Sequence, residues 1–107
     1  MVRLEWPNKS VTLSTTDETE LVEIYSAASS GYRGMTFIVY SATVAGTATV
    51  KYVEPGGGER ILTTAAVPAG GTSATVIDLD FSVPQAKLYI TMGSGSSSAI
   101  TAEGMIY

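Results

Sequence analysis

The acidic residues are the side chains whose type and spacing could do chemistry in this chain. Asp78 and Asp80 stand two apart in an alternating stretch, so a strand would place both carboxylates on one face, where they could coordinate a hard cation such as calcium. No further oxygen ligands stand near them, and the alternative is solvated surface charge. Asp17, Glu18 and Glu20 could supply an acid and a base, but they lie in a polar stretch where solvent is expected. We therefore predict no catalytic residue, no metal and no cofactor, and a protein that is not an enzyme.

Two residue types that are widely used in catalysis and metal binding are missing. The sequence contains no histidine and no cysteine, which removes the usual acid–base side chain near neutral pH, the commonest metal ligand and any disulfide. The glycine run at residues 56–58 is a further candidate, as a phosphate-binding loop. Such a loop needs a helix N-terminus after it and usually a lysine, whereas a strand-like stretch follows here, which favours a hairpin loop.

The charge balance limits the possible partners. The net charge is −4, from ten acidic and six basic residues. The basic residues are scattered rather than clustered: Arg3, Lys9, Arg33, Lys51, Arg60 and Lys87. We therefore predict no nucleic-acid partner. Apolar runs are short and the first residues lack the apolar segment of a signal peptide, so we expect no membrane association and synthesis as a soluble cytoplasmic product.

The low content of charged residues indicates how the surface of the protein is kept in solution or covered. Charged residues make up 15% of the chain, whereas the surface of a solitary soluble domain normally carries about 25–35%. This favours partial coverage of the surface by a neighbouring molecule. The alternative is a surface kept in solution by Ser and Thr hydroxyls, and composition leaves both interpretations open.

Stretches rich in β-branched and aromatic residues recur along the chain, separated by glycine, proline and serine. This spacing predicts about eight strands, at residues 11–15, 21–25, 35–40, 47–53, 60–65, 74–81, 87–92 and 99–107. A helix capped by Thr16 is an alternative for residues 17–25, which its β-branched residues weaken. The pattern predicts an all-β fold, a single-domain antiparallel β-sandwich or jelly roll at residues 11–107, with an extended N-terminal arm at residues 1–10.

Residues 35–54 form the predicted centre of the fold. They are interpreted as a hairpin, with Gly46 able to adopt a positive φ near the turn. Alternation places Glu23, Lys51, Asp78 and Asp80 on the wet faces of their strands. The residues expected inside are Val22, Ile24, Ala48, Val50, Tyr52, Ile77, Leu79, Phe81, Leu88, Ile90 and Met92.

Position in the chain indicates four partner-binding residues, Leu4, Trp6, Arg33 and Tyr107. Trp6 is restricted to an extended conformation by Pro7, and it could either anchor in a partner's pocket or fold back as a lid on its own core. Tyr107 follows Met105 and Ile106, and we expect it to pack against its own sheet or another subunit.

Four stretches of the second half carry a resemblance to a known family: VPAGGT at residues 67–72, IDLDF at 77–81, VPQAKLYIT at 83–91 and AITAEGMIY at 99–107. They look like parts of small β-sandwich virion proteins of tailed bacteriophages, of the capsid decoration and cement type. The resemblance covers residues 46–107. It implies a protein on the capsid surface of the virion that binds the major capsid protein and copies of itself, commonly as a homotrimer, and stiffens the junctions between capsomers.

Two other functions are compatible with the same fold, which alone cannot decide between them. One is another virion position, such as the base of a head fibre, the neck or the tail. The other is a carbohydrate-binding module, in which exposed aromatic rings stack on a glycan. Its candidate residues are Trp6, Tyr25, Tyr32, Tyr40 and Tyr89. Tyrosines on strands are more often half-buried, with only the hydroxyl at the surface.

Overall fold

The computed structural model describes residues 7–25, 33–81 and 83–107. These residues form eight strands in two antiparallel sheets, a first sheet ordered β1-β8-β3-β6 and a second sheet ordered β2-β7-β4-β5. The strands are β1 (Asn8–Leu13), β2 (Thr19–Tyr25), β3 (Met35–Ser41), β4 (Gly46–Val53), β5 (Glu59–Val67), β6 (Thr75–Leu79), β7 (Gln85–Met92) and β8 (Ser98–Ile106). Within this part of the chain, no helix is long and apolar enough to cross a membrane.

The strand order is that of a jelly roll. Except at the step from β4 to β5, each strand is followed by a strand of the other sheet, and β1 lies beside β8. Two Greek keys wrapped into facing sheets give this arrangement. The predicted all-β sandwich is therefore confirmed.

The core lies between the two sheets and is filled by alternate residues of each strand. β7 shows the pattern most clearly, because Ala86, Leu88, Ile90 and Met92 are buried between partly exposed neighbours. Such alternation arises when one face of a sheet packs and the other meets solvent. The residues correctly predicted to be inside are Val22, Ile24, Ala48, Val50, Ile77, Leu79, Leu88, Ile90 and Met92. Glu23, Asp78 and Asp80 are exposed, as predicted.

Two residues predicted to be inside differ from the pattern. Tyr52 is only half-buried, although it lies near the end of β4 opposite the buried Ala86 of β7, which is an inward position as predicted. Phe81 is 44% exposed, so that prediction is wrong. β6 ends at Leu79, and strand periodicity does not extend to a residue beyond the end of the strand.

Two predictions about the first quarter of the chain are also corrected. β1 begins at Asn8, whereas the strand was predicted to begin at residue 11, so residues 8–10 belong to the sheet and not to an arm. Asn8 pairs with Glu103 of β8. The alternative helix at residues 17–25 is wrong, since β2 occupies Thr19–Tyr25. Residues 1–6 lie outside the described residues.

The predicted central hairpin is wrong. β3 pairs with β6 and β8, whereas β4 pairs with β5 and β7, so residues 42–45 cross from one sheet to the other. Periodicity indicates which face of a strand is buried but not which strand lies beside it. Gly46 does not supply a positive φ for a turn, since it is the first residue of β4. A Cβ atom there would lie 2.8 Å from the carbonyl oxygen of Thr91, so close approach to β7 requires the glycine.

Two buried hydroxyls hold the crossing between the sheets. The Oγ atoms of Ser41 and Ser98 are 2.7 Å apart, and both residues are buried. Ser98 Oγ accepts hydrogen bonds from the backbone N–H groups of Thr43 (2.9 Å) and Val44 (3.1 Å). The Ser41 hydroxyl donates to the carbonyl oxygen of Val44 at 2.5 Å. The two side chains thus supply partners for backbone groups that have no strand neighbour at the crossing.

The glycine run forms a hairpin loop, as predicted. β4 and β5 pair from Val53 opposite Glu59 to Gly46 opposite Val67. Gly57 has a φ of 96° and donates its N–H to the carbonyl oxygen of Glu54 at 2.8 Å. A strand and not a helix follows the loop, so the helix N-terminus that a phosphate loop needs is not there.

Candidate docking surface

The outer face of the first sheet carries few charges. We define the first-sheet face as the outward positions of its four strands, given by the register and the burial pattern: Asn8, Ser10, Thr12, Thr36, Ile38, Tyr40, Val76, Asp78, Ala99, Thr101, Glu103 and Met105. Two of these residues are acidic and none is basic. The others are apolar or carry hydroxyl or amide groups.

Apolar side chains lie side by side on β3 and on the edge strand β6 of the first-sheet face, next to Glu103 of β8. Val76 is 60% exposed and is the register partner of Ile38. Tyr40, 38% exposed, is the next outward residue of β3, and Met105 lies opposite Thr36. An exposed valine on an edge strand beside an isoleucine and a tyrosine leaves contiguous apolar area in water. Such patches mark contact surfaces more often than scattered apolar residues do.

Charged side chains concentrate on the outer face of the second sheet, where they are paired. Lys51 Nζ lies 2.5 Å from Glu18 Oε1 and 4.4 Å from the centroid of the Tyr89 ring. Lys87 Nζ lies 3.0 Å from Glu20 Oε1. The two lysines are register partners on β4 and β7, and the glutamates offset the repulsion between their like charges.

These contacts limit the chemistry of the second-sheet face. The hydrogen bond to Glu20 raises the pKa of Lys87, so its amine stays protonated and is not a nucleophile at neutral pH. Burial, together with the hydrogen bond that its hydroxyl donates to Glu59, raises the pKa of Tyr89. Neither group is suited to proton transfer near pH 7. The second-sheet face therefore carries ion-paired lysines and a protonated tyrosine, and neither is a reactive group at neutral pH.

One member of the aspartate pair, Asp78, accepts hydrogen bonds at one corner of the first-sheet face. Asp78 Oδ1 accepts hydrogen bonds from the hydroxyls of Thr36 (2.6 Å) and Tyr107 (2.8 Å). These donors, Thr36 first, lower the pKa of Asp78, and the same carboxylate raises the pKa of Tyr107. Asp80 lies beyond the end of β6. Among residues 7–25, 33–81 and 83–107, no three acidic side chains are grouped so that they could hold a metal ion.

Two of the four predicted partner residues are brought together beside this corner. The backbone N–H groups of Arg33 and Gly34 donate to the carbonyl oxygen of Tyr107, at 2.5 and 3.0 Å, and the Tyr107 N–H donates to Gly34 at 3.1 Å. A Cβ on Gly34 would lie 2.5 Å from the Tyr107 ring, so the glycine makes room for it. Tyr107 is 47% exposed, and its hydroxyl lies 3.3 Å from the carbonyl oxygen of Leu79 on its own sheet. Leu4 and Trp6 lie outside the described residues.

Val76 and Ile38 were not predicted as contact residues. The signal for Val76 was present, because alternation that places Ile77 and Leu79 inside also places Val76 outside. Its proximity to Ile38 could not be inferred, since the pairing of β3 with β6 joins residues far apart in the sequence.

Comparisons with known proteins bear on the fold alone. No protein-family model matches the sequence, and no curated protein matches it. Among solved structures, the chain is similar to the crystal structure of the Yersinia pseudotuberculosis-derived mitogen YPM, with a TM-score of 0.65 and 9% sequence identity, over 96% of this chain and 86% of that chain. At this identity the likeness shows a shared β-sandwich and nothing about activity. The resemblance to phage virion proteins stays a prediction from sequence.

Proposed function

We propose that this protein is a structural virion protein that binds the outer surface of an assembled phage capsid and decorates or cements it. The observation that carries the proposal is the first-sheet face, an exposed β surface with an apolar patch on β3 and β6, two acidic residues and no basic residue. β6 and β8, which supply Val76 and Met105, belong to the half of the chain with the sequence resemblance. That resemblance supplies the partner class, the major capsid protein.

The contrast between the two outer faces supports this orientation. Burying the methyl groups and hydroxyls of the first-sheet face releases water from apolar area, and the ions of that face that lose hydration are Asp78 and Glu103. Burying the second-sheet face would instead desolvate Lys51, Lys87 and their glutamates, which is unfavourable unless the partner replaces every contact. We therefore place the first-sheet face against the capsid and the charged face toward solvent.

The core suits a protein that stiffens a lattice. No buried side-chain nitrogen or oxygen lacks a hydrogen-bond partner in the part of the chain that the structure describes. A sandwich with a satisfied core presents its contact surface preformed, so little ordering is required on binding. Many copies that bind the mature lattice but not its precursor stabilise it by mass action, and a homotrimer would add multivalency.

Binding to undecorated heads tests the proposal. Heads assembled from the major capsid protein of the same genome are mixed with purified protein, and bound copies are measured by sedimentation before and after heating. We expect saturable binding and greater heat resistance. Val76→Lys places a charge in the apolar patch on β3 and β6 and should weaken binding about tenfold or more. Ile61→Lys is the matched control, because Ile61 is 64% exposed but lies on β5 of the second sheet.

The possible results separate the alternatives. No binding and no gain in heat resistance would refute the proposal. Equal losses for the Val76 and Ile61 variants would show that the first-sheet face is not the contact. A single ring of bound copies at the vertex, instead of copies over the whole shell, would favour a neck or tail position. A stable trimer by mass in solution would support the homotrimer.

A further inference from the structure

An open cleft of about 330 Å³ lies at one end of the second sheet, away from the first-sheet face. It is enclosed by the ends of β2 and β4, the start of β7 and the β4–β5 loop. Its described lining residues are Tyr25, Tyr52, Val53, Glu54, Pro55, Gly57, Pro84 and Gln85. Tyr25 and Gln85 are register partners, and the loop is closed by hydrogen bonds of 2.8 and 2.7 Å at Glu54. The walls are therefore preformed.

An aromatic ring is presented at the mouth of this cleft. Tyr25 is 67% exposed, more than any other large apolar side chain among the described residues. Tyr52 is half-buried beside the same space, and the exposed Pro55 and Pro84 add apolar lining. An aromatic face carries partial negative charge, which attracts the polarised C–H groups on one face of a pyranose ring.

Oriented polar groups lie on the walls beside the ring. Glu54 Oε1 accepts a hydrogen bond from Arg60 Nε at 2.7 Å, which fixes the carboxylate at the rim. Gln85 Nε2 donates to Glu23 Oε2 at 2.8 Å, which fixes the amide. A carboxylate is a strong acceptor for sugar hydroxyls. Glu54 is the one charged residue among the described lining residues, and its carboxylate disfavours an anionic ligand.

We propose that this cleft is a binding site for a neutral sugar, in which Tyr25 stacks on the pyranose ring and Glu54 and Gln85 receive its hydroxyls. A volume of about 330 Å³ is at the small end of ligand sites, and it fits one or two sugar rings. A proline-rich peptide is the competing ligand. It needs a groove with successive aromatic ridges, whereas this cleft presents one exposed ring. The inference does not depend on the capsid proposal.

Chemical-shift titration with sugars tests the site. The ¹⁵N-labelled protein is titrated with the methyl glycosides of glucose, galactose, mannose and N-acetylglucosamine, with glucuronate, and with a decaproline peptide. We expect saturable shifts around the cleft with at least one neutral glycoside and none with glucuronate. Tyr25→Ala should weaken that binding about tenfold. Tyr40→Ala is the control, because Tyr40 is an exposed tyrosine of the first sheet, and it should leave binding within about twofold.

Each other result overturns the assignment. No saturable shift with a neutral glycoside would show that the cleft takes no simple sugar. Equal losses for the Tyr25 and Tyr40 variants would mean that the effect does not arise in the cleft. Saturation by decaproline in place of the sugars would identify a peptide site. Both tyrosines are exposed, so both variants should fold, and their far-ultraviolet circular dichroism spectra check this.

Discussion

Ser98→Ala tests whether the buried hydroxyl pair holds the crossing between the sheets. The change removes one oxygen atom and leaves the shape of the site almost unchanged, so the loss of packing is small. The lost oxygen is the acceptor for the backbone N–H groups of Thr43 and Val44. Ser41 keeps its own acceptor, the carbonyl oxygen of Val44. The variant therefore removes an acceptor shared by two amides, together with the hydrogen bond between the Ser41 and Ser98 hydroxyls.

The magnitude follows from those two amides. A buried donor without a partner costs about 1–3 kcal/mol. Thr43 is exposed and Val44 only half-buried, so water can replace part of the loss, and we expect the free energy of unfolding to fall by about 2–3 kcal/mol in total. For a domain stabilised by about 5–15 kcal/mol this is a large fraction. With a slope of about 1–3 kcal/mol per molar urea, the unfolding midpoint should drop by about 0.7–3 M.

Urea unfolding followed by tyrosine fluorescence and circular dichroism measures this loss. Ser97→Ala, an exposed serine next in the chain, is the matched control and should change the free energy of unfolding by less than about 0.5 kcal/mol. Ser41→Ala leaves both amides paired with Ser98 and should cost about 1 kcal/mol. Equal midpoints for the Ser98 and Ser97 variants would refute the argument, because they would show that solvent already satisfies the two amides.

Two further substitutions test the packing of β8 and the corner at β6. Gly104→Val would place a Cβ 2.9 Å from Ile24 Cδ1 and 3.2 Å from Phe37 Cδ1. We expect this overpacking to lower the free energy of unfolding by about 1–3 kcal/mol, measured as a lower thermal midpoint. An unchanged midpoint would contradict the close packing. Because the pKa of Asp78 is lowered, its ionised carboxylate stabilises the folded state above about pH 4. Asp78→Asn should remove this stabilisation. Since that stabilisation is lost as the pH falls through the folded-state pKa, the difference in urea midpoint from the wild type should shrink below pH 3.8. Asp80→Asn is the control, and a constant difference down to pH 2 would exclude the mechanism.

Local properties of the fold could be predicted from the sequence because they repeat at short range. The buried face of β7 follows from alternation, and so does the outward direction of Glu23 and Asp78. Phe81 was misplaced because alternation continues in the sequence after β6 has ended at Leu79. The end of a strand depends on where its partner strand ends, which the sequence of β6 does not contain.

Long-range pairing could not be predicted in the same way. Residues 35–54 have the composition of a hairpin, yet their two strands belong to different sheets. The residues that decide this include Ser98, which stands at the end of a serine-rich stretch that resembles a solvated loop. Its burial is visible only once it meets Ser41 of β3. The candidate docking surface could not be predicted for the same reason, since Val76 and Ile38 form one patch only through the pairing of β3 with β6.

The order of the strands also determines how the chain can fold. β4 and β5 are the two sequential strands that pair with each other, and a hairpin of this kind forms within about 1–10 μs. Every other pairing joins segments that are far apart in the sequence. The partner of β1 is β8, the last strand to be synthesised. Topologies dominated by such contacts fold in milliseconds to seconds. During synthesis the ribosome therefore releases a chain whose strand edges stay open to other molecules until β8 has emerged.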